Sequence, residues 1–262
     1  MTKEKMILGA IAGDVIGSAF LWDNDKSTNF DLFWPNSTFT DDSVLTIATM
    51  DVLINKADYT KVYQKYGRKY YDKEYGRYFH SWINSHNPMP YNSWGNGSAM
   101  RVSPVGWFCT NMDDVLEEAQ RSAEVTHNHP EGIKGAQAAA SAVFMARNGK
   151  TKKEIKDFIT HTFNYDLERS IDEIRPEYEF DVSCQGSVPE AIIAFLESTD
   201  FENAIRLAVS LGGDSDTIAC ITEGIAEAFY GKIPDSIVDG VLSVLTTELK
   251  SIVEIFSEKY RI

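Results

Sequence analysis

Residues 42–55 read DSVLTIATMDVLIN, and the spacing of apolar residues within them sets the expectation for the whole fold. Leu45, Ala48 and Val52 recur at intervals of three and four, which is the period of an α-helix with one buried stripe. The same period predicts further helices over residues 132–148, 152–163, 188–197, 201–211, 217–230 and 241–259.

Signals for β-strands are scarce, and the best of them, residues 178–182, is short. No proline-rich or serine-rich linker divides the chain, and no segment of 20–50 residues repeats. We therefore predict a single all-α domain over residues 1–262.

The composition excludes several classes of protein. The 262 residues carry 25 Lys and Arg against 39 Asp and Glu, a formal net charge of −14, which argues against binding nucleic acid through a basic surface. The three cysteines form no CxxC pair, so neither a zinc framework nor a disulfide scaffold is expected. No apolar run reaches the ~18 residues of a membrane span. We expect a cytoplasmic protein that does not enter a membrane.

Four loops concentrate glycine, aspartate, asparagine and histidine, and each stands just before a predicted helix. They are TDDS at residues 40–43, SWGNGS at 93–98, THNHP at 126–130 and GGDSDT at 212–217. Because functional residues collect on loops held by a rigid scaffold, we expect the site among these four.

Two of these loops carry paired aspartates, Asp41 with Asp42 and Asp214 with Asp216. One interpretation is helix capping, because acidic residues in a first turn interact favourably with the helix dipole. Asp214 and Asp216 would point about 200° apart on a continuous helix, so they converge only in a loop or a first turn. Carboxylates and hydroxyls without cysteine suit hard cations such as Mg²⁺, Mn²⁺ or Ca²⁺. The sequence leaves open whether the two loops meet.

Five motifs occur in order along the chain: GDVIGS at residues 13–18, FTDDS at 39–43, GNGSAMR at 95–101, TH at 126–127 and GDSDT at 213–217. Together they resemble the ADP-ribosylglycohydrolase family, which includes the dinitrogenase reductase-activating glycohydrolases. The resemblance runs over residues 6–231. It implies a compact orthogonal helical domain, a binuclear site for two Mg²⁺ or Mn²⁺ ions, and hydrolysis of a bond to C1″ of an ADP-ribosyl group.

The resemblance also implies roles for individual residues. Those matching the metal-binding loops are Thr40, Asp41, Asp42, Asp214, Asp216 and Thr217, and the implied catalytic set is Asp41, Asp42 and Asp216. Those matching the substrate-binding segments are Ser93, Trp94, Gly95, Asn96, Gly97 and His127. A plain glycine-rich turn remains the alternative for this loop, and its tryptophan could either stack on the ligand or cover the loop.

Three other features leave alternatives open. Asp14 lies inside the first helical pattern, where we expect structural hydrogen bonds rather than a ligand role. Arg101 could pair with a phosphate or form a buried ion pair with a loop carboxylate. The aromatic stretch at residues 63–82 could line the target side of the site or pack in the core.

One position departs from the family's pattern. Three residues after Ser18 the family usually has a glutamate, and this chain has Leu21. Leucine neither accepts a proton nor binds a cation, although Asp23 or Asp25 could reach in from the same loop. General acid–base catalysis typically contributes ~10²–10⁴ in rate, so loss of this carboxylate should lower the rate of hydrolysis.

Three functions follow from these observations. The first is a metal-dependent hydrolase that removes ADP-ribose from a modified protein or a small-molecule conjugate. The second is a catalytically weak or inactive ADP-ribose-binding protein, because of Leu21. The third is a helical structural protein. The acidic charge disfavours an extended grip on nucleic acid, and neither the linkage nor the oligomeric state can be read from the sequence.

Overall fold

Helices account for the regular structure of the protein, whose computed structural model describes residues 6–261. They are α1 (Gly9–Gly17), α2 (Asp41–Asn55), α3 (Tyr59–Lys69), α4 (Arg77–Ile83), α5 (Gly97–Met100), α6 (Ser103–Phe108), α7 (Met112–Glu124), α8 (Pro130–Arg147), α9 (Lys152–Phe163), α10 (Ile171–Ile174), α11 (Cys184–Glu197), α12 (Phe201–Ser210), α13 (Ser215–Tyr230), α14 (Asp235–Val244) and α15 (Thr247–Tyr260), with a 3₁₀ turn at Ser18–Phe20. Within the described residues no strand forms, so the all-α prediction is confirmed. Residues 1–5 and 262 of the predicted domain lie outside the described part.

The packing of α1 on α13 forms the centre of the fold. Every residue of α1 is buried, and its glycines Gly9, Gly13 and Gly17 recur once per turn on the side that meets α13. A Cβ at Gly17 would lie 2.6 Å from the Cα of Asp216, and one at Gly13 would overlap the carbonyl of Ala219. The two helices therefore touch backbone to backbone, which only residues without a side chain allow.

Helix α2 begins at the first aspartate loop. Thr40 is its N-cap, with an extended backbone, and the Oγ1 of Thr40 accepts a 3.3 Å hydrogen bond from the backbone N of Asp42. The helix ends at Asn55 and is capped by Lys56, whose φ of 51° lies in the left-handed region that closes helices. The predicted helix at residues 42–55 is thus confirmed to within one residue.

The single helix predicted at residues 241–259 is wrong, because the structure has two helices there. The backbone of Leu245 is extended, and Thr246 starts α15 by accepting a 3.3 Å hydrogen bond at its Oγ1 from the backbone N of Leu249. The apolar period runs on through the break, so periodicity alone could not reveal the break.

The short stretch at residues 178–182, the best strand signal in the sequence, does not become a strand. A single antiparallel bridge joins Gly95 to Ser183, just beyond it. At this bridge the backbone N of Asn96 donates to the carbonyl of Val182 at 2.8 Å. These contacts attach the glycine-rich loop to the start of α11.

The aromatic stretch at residues 63–82 packs mainly in the core. Tyr63 is buried, and its hydroxyl lies 2.8 Å from the Oγ1 of Thr49 and 2.8 Å from the Oγ of Ser122. Tyr78, in contrast, is 74% exposed. None of the helices in the described part of the chain is both long and apolar enough to cross a membrane.

Candidate active site

The four loops singled out in the sequence converge on one cavity of about 360 Å³. It opens where the segment after the 3₁₀ turn and the starts of α2, α5 and α13 come together. The predicted site residues that line it are Asp41, Asp42, Ser93, Gly95, Asn96, Gly97, His127, Asp214, Asp216 and Thr217. Thr40 is buried behind the cavity as the cap of α2, and Trp94 is outside the lining set.

Three buried carboxylates from three different helices meet beside this cavity. Asp14 on α1, Asp42 on α2 and Asp216 on α13 each bring one oxygen within 4.8 Å of the others. Burial raises the pKa of Asp14 to about 6. The pKa of Asp42 is raised well above its usual range, mainly by burial and next by the charge of Asp216. The pKa of Asp216 is raised in the same way, mainly by burial and next by the charge of Asp214. Such a cluster favours a bound cation, whose charge offsets the repulsion.

Asp14 is the anchor of the first aspartate loop. Its carboxylate accepts hydrogen bonds from the N and Oγ1 of Thr40, at 3.0 and 2.6 Å, and from the N of Ser43 at 3.1 Å. The Oγ of Ser43 donates to it as well. Asp14 therefore has the structural hydrogen bonds that the sequence suggested, and it also belongs to the three-carboxylate cluster, which the sequence did not suggest.

One oxygen of Asp42 supplies a test of whether these residues fit a cation. Its Oδ2 accepts a 3.2 Å hydrogen bond from the Oγ1 of Thr217, whereas its Oδ1 is buried and has no hydrogen-bond partner in the described structure. A buried carboxylate oxygen without a partner is costly. Because the cluster is built from carboxylate oxygens alone, the residues present fit a hard divalent cation of the Mg²⁺ or Mn²⁺ type.

The second aspartate loop depends on two glycines. Gly212 and Gly213 have φ values of 71° and 67°, which residues with side chains rarely adopt. This turn brings both Asp214 and Asp216 to the cavity at the first turn of α13, as their spacing required. The Oδ2 of Asp214 accepts a 2.6 Å hydrogen bond from the Nδ2 of Asn96, on the glycine-rich loop.

The glycine-rich loop lies against His127. A Cβ at Gly97 would be 3.2 Å from the Nε2 of His127, and a Cβ at Gly95 would be 3.5 Å from it. The glycines thus keep the space beside the imidazole clear. Trp94 points elsewhere, since its ring is half exposed and packs edge-on against His129 at 5.6 Å between centroids.

Arg101 is buried, lines the cavity and forms no ion pair with a carboxylate of the described chain. Its Nη2 donates to the carbonyl of Ser122 at 2.8 Å and to the Oγ1 of Thr126 at 2.9 Å. The guanidinium lies 4.5 Å from the centroid of the Tyr63 ring. Of the two alternatives left by the sequence, the ion pair with a loop carboxylate is therefore wrong.

Leu21 lines the cavity and is buried, whereas Asp23 and Asp25 are not among the lining residues. The carboxylate that does line the cavity outside the two aspartate loops is that of Glu74, between α3 and α4. Its φ of 50° is unusual for a residue with a side chain. The negative charge of Glu74 contributes, after burial and nearer acids, to the raised pKa of Asp41. No pattern in the sequence pointed to Glu74.

Exposed aromatic rings form the rim of the cavity. Trp22 is 79% exposed and stacks on Phe180, with centroids 6.0 Å apart and planes at 16°. Tyr78 stands at the same opening, and the aromatic stretch at residues 63–82 was its only sequence signal. Phe79, from the same stretch, also lines the cavity. The other lining residues that the sequence did not indicate are Leu45, Gly76, Tyr91, Met100 and Val182.

Comparison with known proteins identifies relatives with this architecture. A family model described as ADP-ribosylglycohydrolase matches residues 4–261. ADP-ribosylhydrolase ARH3 of Homo sapiens is 28% identical over 191 residues, which cover 55% of this chain and 53% of that protein. ADP-ribosylarginine hydrolase Tri1 of Pseudomonas putida (strain GB-1) is 28% identical over 162 residues, which cover 57% of this chain and 41% of that protein.

A solved structure, an ADP-ribosylglycohydrolase-related protein complex, superimposes on this chain with a TM-score of 0.74 and 25% identity, covering 98% of both chains. The helical fold implied by the motifs is therefore confirmed. The chain spans about half the length of the curated relatives that it matches first.

Proposed function

The chain belongs to the ADP-ribosylglycohydrolase family, and on that premise we propose that it is a metal-dependent hydrolase releasing ADP-ribose from a modified protein side chain or a small-molecule conjugate. The observation that carries this proposal is the cluster of Asp14, Asp42 and Asp216 beside a cavity, with one buried carboxylate oxygen lacking a partner. An interior stabilised only by packing has no use for three mutually repelling acids.

We assign the metal site to six residues of the two aspartate loops: Thr40, Asp41, Asp42, Asp214, Asp216 and Thr217. Two divalent ions, Mg²⁺ or Mn²⁺, would there polarise substrate oxygens and a water molecule. Asp41, Asp42 and Asp216 are the catalytic set in this proposal. Asp14 acts on them indirectly, because its hydrogen bonds to Thr40 and Ser43 hold the first loop in place.

The substrate is assigned to the other side of the cavity. Ser93, Gly95, Asn96 and Gly97 provide a wall without bulky side chains, and His127 provides a polar ring beside it. We keep Trp94 as a candidate contact for a larger substrate only, since it lies outside the lining of the cavity.

Leu21 favours a second candidate, a protein that binds ADP-ribose with little turnover. Its side chain is buried in the cavity wall and offers no oxygen. Glu74 favours the hydrolase, because it brings a carboxylate to the same cavity from another loop. We therefore assign to Glu74 the acceptance of a proton during hydrolysis, a task that the aspartates cannot share while they hold cations.

The deciding experiment measures free ADP-ribose released from ADP-ribosylated arginine, ADP-ribosylated serine and a small-molecule conjugate, with Mg²⁺, with Mn²⁺ and with a chelator. We expect release that the chelator abolishes and that Asp216→Asn loses. Asp157→Asn is the matched control, because Asp157 is exposed on α9 and pairs with Lys153 on the same helix. Metal-dependent ADP-ribose binding without release from any substrate would favour the second candidate.

Leu21→Glu separates the two candidates further, with Leu21→Gln as the uncharged control of equal size. If the protein is a binder that lacks a carboxylate, the glutamate variant gains release and the glutamine variant does not. If Glu74 already serves, the new glutamate raises release little.

A further inference from the structure

The imidazole of His127 shares one hydrogen bond with its sequence neighbour. The Nδ1 of His127 lies 2.7 Å from the Oγ1 of Thr126, and both side chains are buried. Either the hydroxyl donates to the ring, or a protonated ring nitrogen donates to the hydroxyl. The two arrangements place the proton of a neutral imidazole on different nitrogens. The surroundings of Thr126 therefore decide whether the proton is on Nδ1 or on Nε2.

The groups around Thr126 favour donation by its hydroxyl. The Oγ1 of Thr126 already accepts a 2.9 Å hydrogen bond from the Nη2 of Arg101. Two further groups lie within range of this hydroxyl: the Tyr91 hydroxyl, which has a proton of its own to donate to Thr126, and the carbonyl of Ala123, at 3.5 Å. That carbonyl also accepts from the backbone N of Thr126 at 3.1 Å and of His127 at 2.7 Å, so both of its lone pairs are used. The hydroxyl proton is left with the Nδ1 of His127 as its partner.

Arg101 also keeps the ring neutral. No carboxylate of the described residues pairs with its guanidinium, and its Nε and Nη1 are buried without hydrogen-bond partners there. Burial, followed by the charge of Arg101, lowers the pKa of His127 well below its usual range. The other ring packed against His127 is that of Tyr91, at 5.9 Å, which brings no negative charge at neutral pH.

The opposite ring nitrogen faces the glycine-rich loop. The Nε2 of His127 is 3.2 Å from where a Cβ of Gly97 would be, and 3.5 Å from that of Gly95. A proton on Nε2 is therefore presented to whatever occupies the space that these glycines leave open.

We propose that Arg101 and Thr126 are positioning residues that hold His127 as a neutral imidazole protonated on Nε2, which donates a hydrogen bond to a phosphate or hydroxyl oxygen of the ligand. The ligand part rests on the proposed function, whereas the proton position does not. Each link has a single direction: guanidinium to hydroxyl, hydroxyl to Nδ1, and Nε2 to the ligand oxygen.

The first test reads the proton position directly. Protein labelled with ¹⁵N-histidine gives long-range ¹H–¹⁵N correlations that distinguish Nδ1–H from Nε2–H, and the His127 signal is the one lost in His127→Gln. We expect an unprotonated Nδ1, a protonated Nε2 and no titration over roughly pH 5–8. An Nδ1–H ring, or titration at the ordinary histidine pKa, would overturn the proposal. Because no turnover is involved, this result stands whether or not the protein releases ADP-ribose.

The second test removes the hydroxyl. Thr126→Val keeps the shape of the side chain, and Thr126→Ser restores the hydroxyl as the matched control. We expect Thr126→Val to lose the single tautomer and to bind ADP-ribose roughly tenfold more weakly in calorimetry with Mg²⁺, while Thr126→Ser stays within about twofold of the parent. Equal ADP-ribose affinity of the valine and serine variants would refute the donor role. If Thr126→Val fails to fold, the tautomer of the parent protein decides the matter alone.

Discussion

Asn96 donates a 2.6 Å hydrogen bond from its Nδ2 to the Oδ2 of Asp214, joining two loops that are 118 residues apart in the chain. One loop carries the glycines beside His127, and the other carries two of the acids assigned to cations. The pKa of Asp214 reflects both environments, since burial raises it and the bond from Asn96 lowers it. A ligand on one loop and a cation on the other should therefore affect each other's affinity, and by the same factor.

Asn96→Ala should weaken this coupling. We expect the parent protein to bind ADP-ribose more tightly with Mg²⁺ than with a chelator. The ratio of the dissociation constant with chelator to that with Mg²⁺ should be smaller in the variant than in the parent, by roughly fivefold or more. Calorimetric titration under both conditions gives the ratio. Asn87→Ala, on an exposed loop, should leave the ratio unchanged. A parent-like ratio in Asn96→Ala would mean that the hydrogen bond between Asn96 and Asp214 does not couple ADP-ribose binding to cation binding.

Asp42→Asn should have opposite effects without and with a divalent cation. It removes one charge from a buried and mutually repelling set, so the metal-free variant should be at least as stable as the parent protein. It also removes a ligand, so the stabilisation by cation, about 2.7 kcal/mol at a hundred times the dissociation constant, should largely disappear. Thermal unfolding with a chelator and with Mg²⁺ measures both effects, with Asp157→Asn as the control. A full cation-induced shift in Asp42→Asn would remove it from the metal site.

The stability that Asp14 gives the metal-free protein should fall as pH rises from 3.8 to about 6. Asp14 has a pKa of about 6 in the folded chain against an ordinary value of 3.8. The folded state therefore holds a proton that the unfolded state releases, and this contribution is complete below pH 3.8 and lost by about pH 6.

Cation binding reverses that trend, because the cation takes the place of the protons on the cluster. The difference between melting temperatures with Mg²⁺ and with a chelator should therefore grow as pH rises through about 6. Melting curves at several pH values measure this difference. A constant difference across the range would show that the cation binds elsewhere.

Glu74→Gln should reduce turnover without preventing binding. The substitution keeps the size of the side chain and removes the proton acceptor that lines the cavity. We expect kcat to fall by ~10²–10⁴, the usual contribution of general acid–base help. The dissociation constant for ADP-ribose should change by less than about threefold, since no transition-state interaction enters it. Glu177→Gln, at an exposed position, is the matched control. Unchanged kcat in Glu74→Gln would exclude the role.

Gly17→Ala should destabilise the protein and disturb the metal site together. The added Cβ would lie 2.6 Å from the Cα of Asp216, and backbone cannot move aside as a side chain can. We expect a loss of about 1–3 kcal/mol or more in the free energy of unfolding. A weaker response to Mg²⁺ should accompany it. Gly76→Ala is the control for stability, because a Cβ there would meet nothing within 4 Å. Equal stability of the two variants would contradict the close contact.

The sequence reveals much of this structure where local signals suffice. The period around Leu45 predicts α2, and the Asp-x-Asp spacing after two glycines predicts a turn that brings Asp214 and Asp216 together. The break between α14 and α15 at Thr246 could not be predicted, because the apolar period continues through it.

Other parts of the site depend on tertiary packing and leave no local trace. Asp14 joins the cluster only because α1 packs closely enough on α13 to bring it near Asp216. Glu74 lies at the cavity with a left-handed backbone conformation. Glycine or asparagine usually signals that conformation in a sequence, and neither stands at this position. The sequence allowed Arg101 an ion pair with a loop carboxylate, whereas in the structure its guanidinium packs on Tyr63.

The glycine face of α1 has a consequence for how this protein can change over evolutionary time. Side-chain contacts loosen or tighten whenever a methyl group is gained or lost, but at Gly9, Gly13 and Gly17 it is the backbone of α1 that meets α13. The separation of Asp14 from Asp216 is therefore insulated from drift in the hydrophobic interior. The rim, with Trp22 and Phe180 exposed, is free to vary and acquire new targets while the spacing of the acids beneath it stays constant.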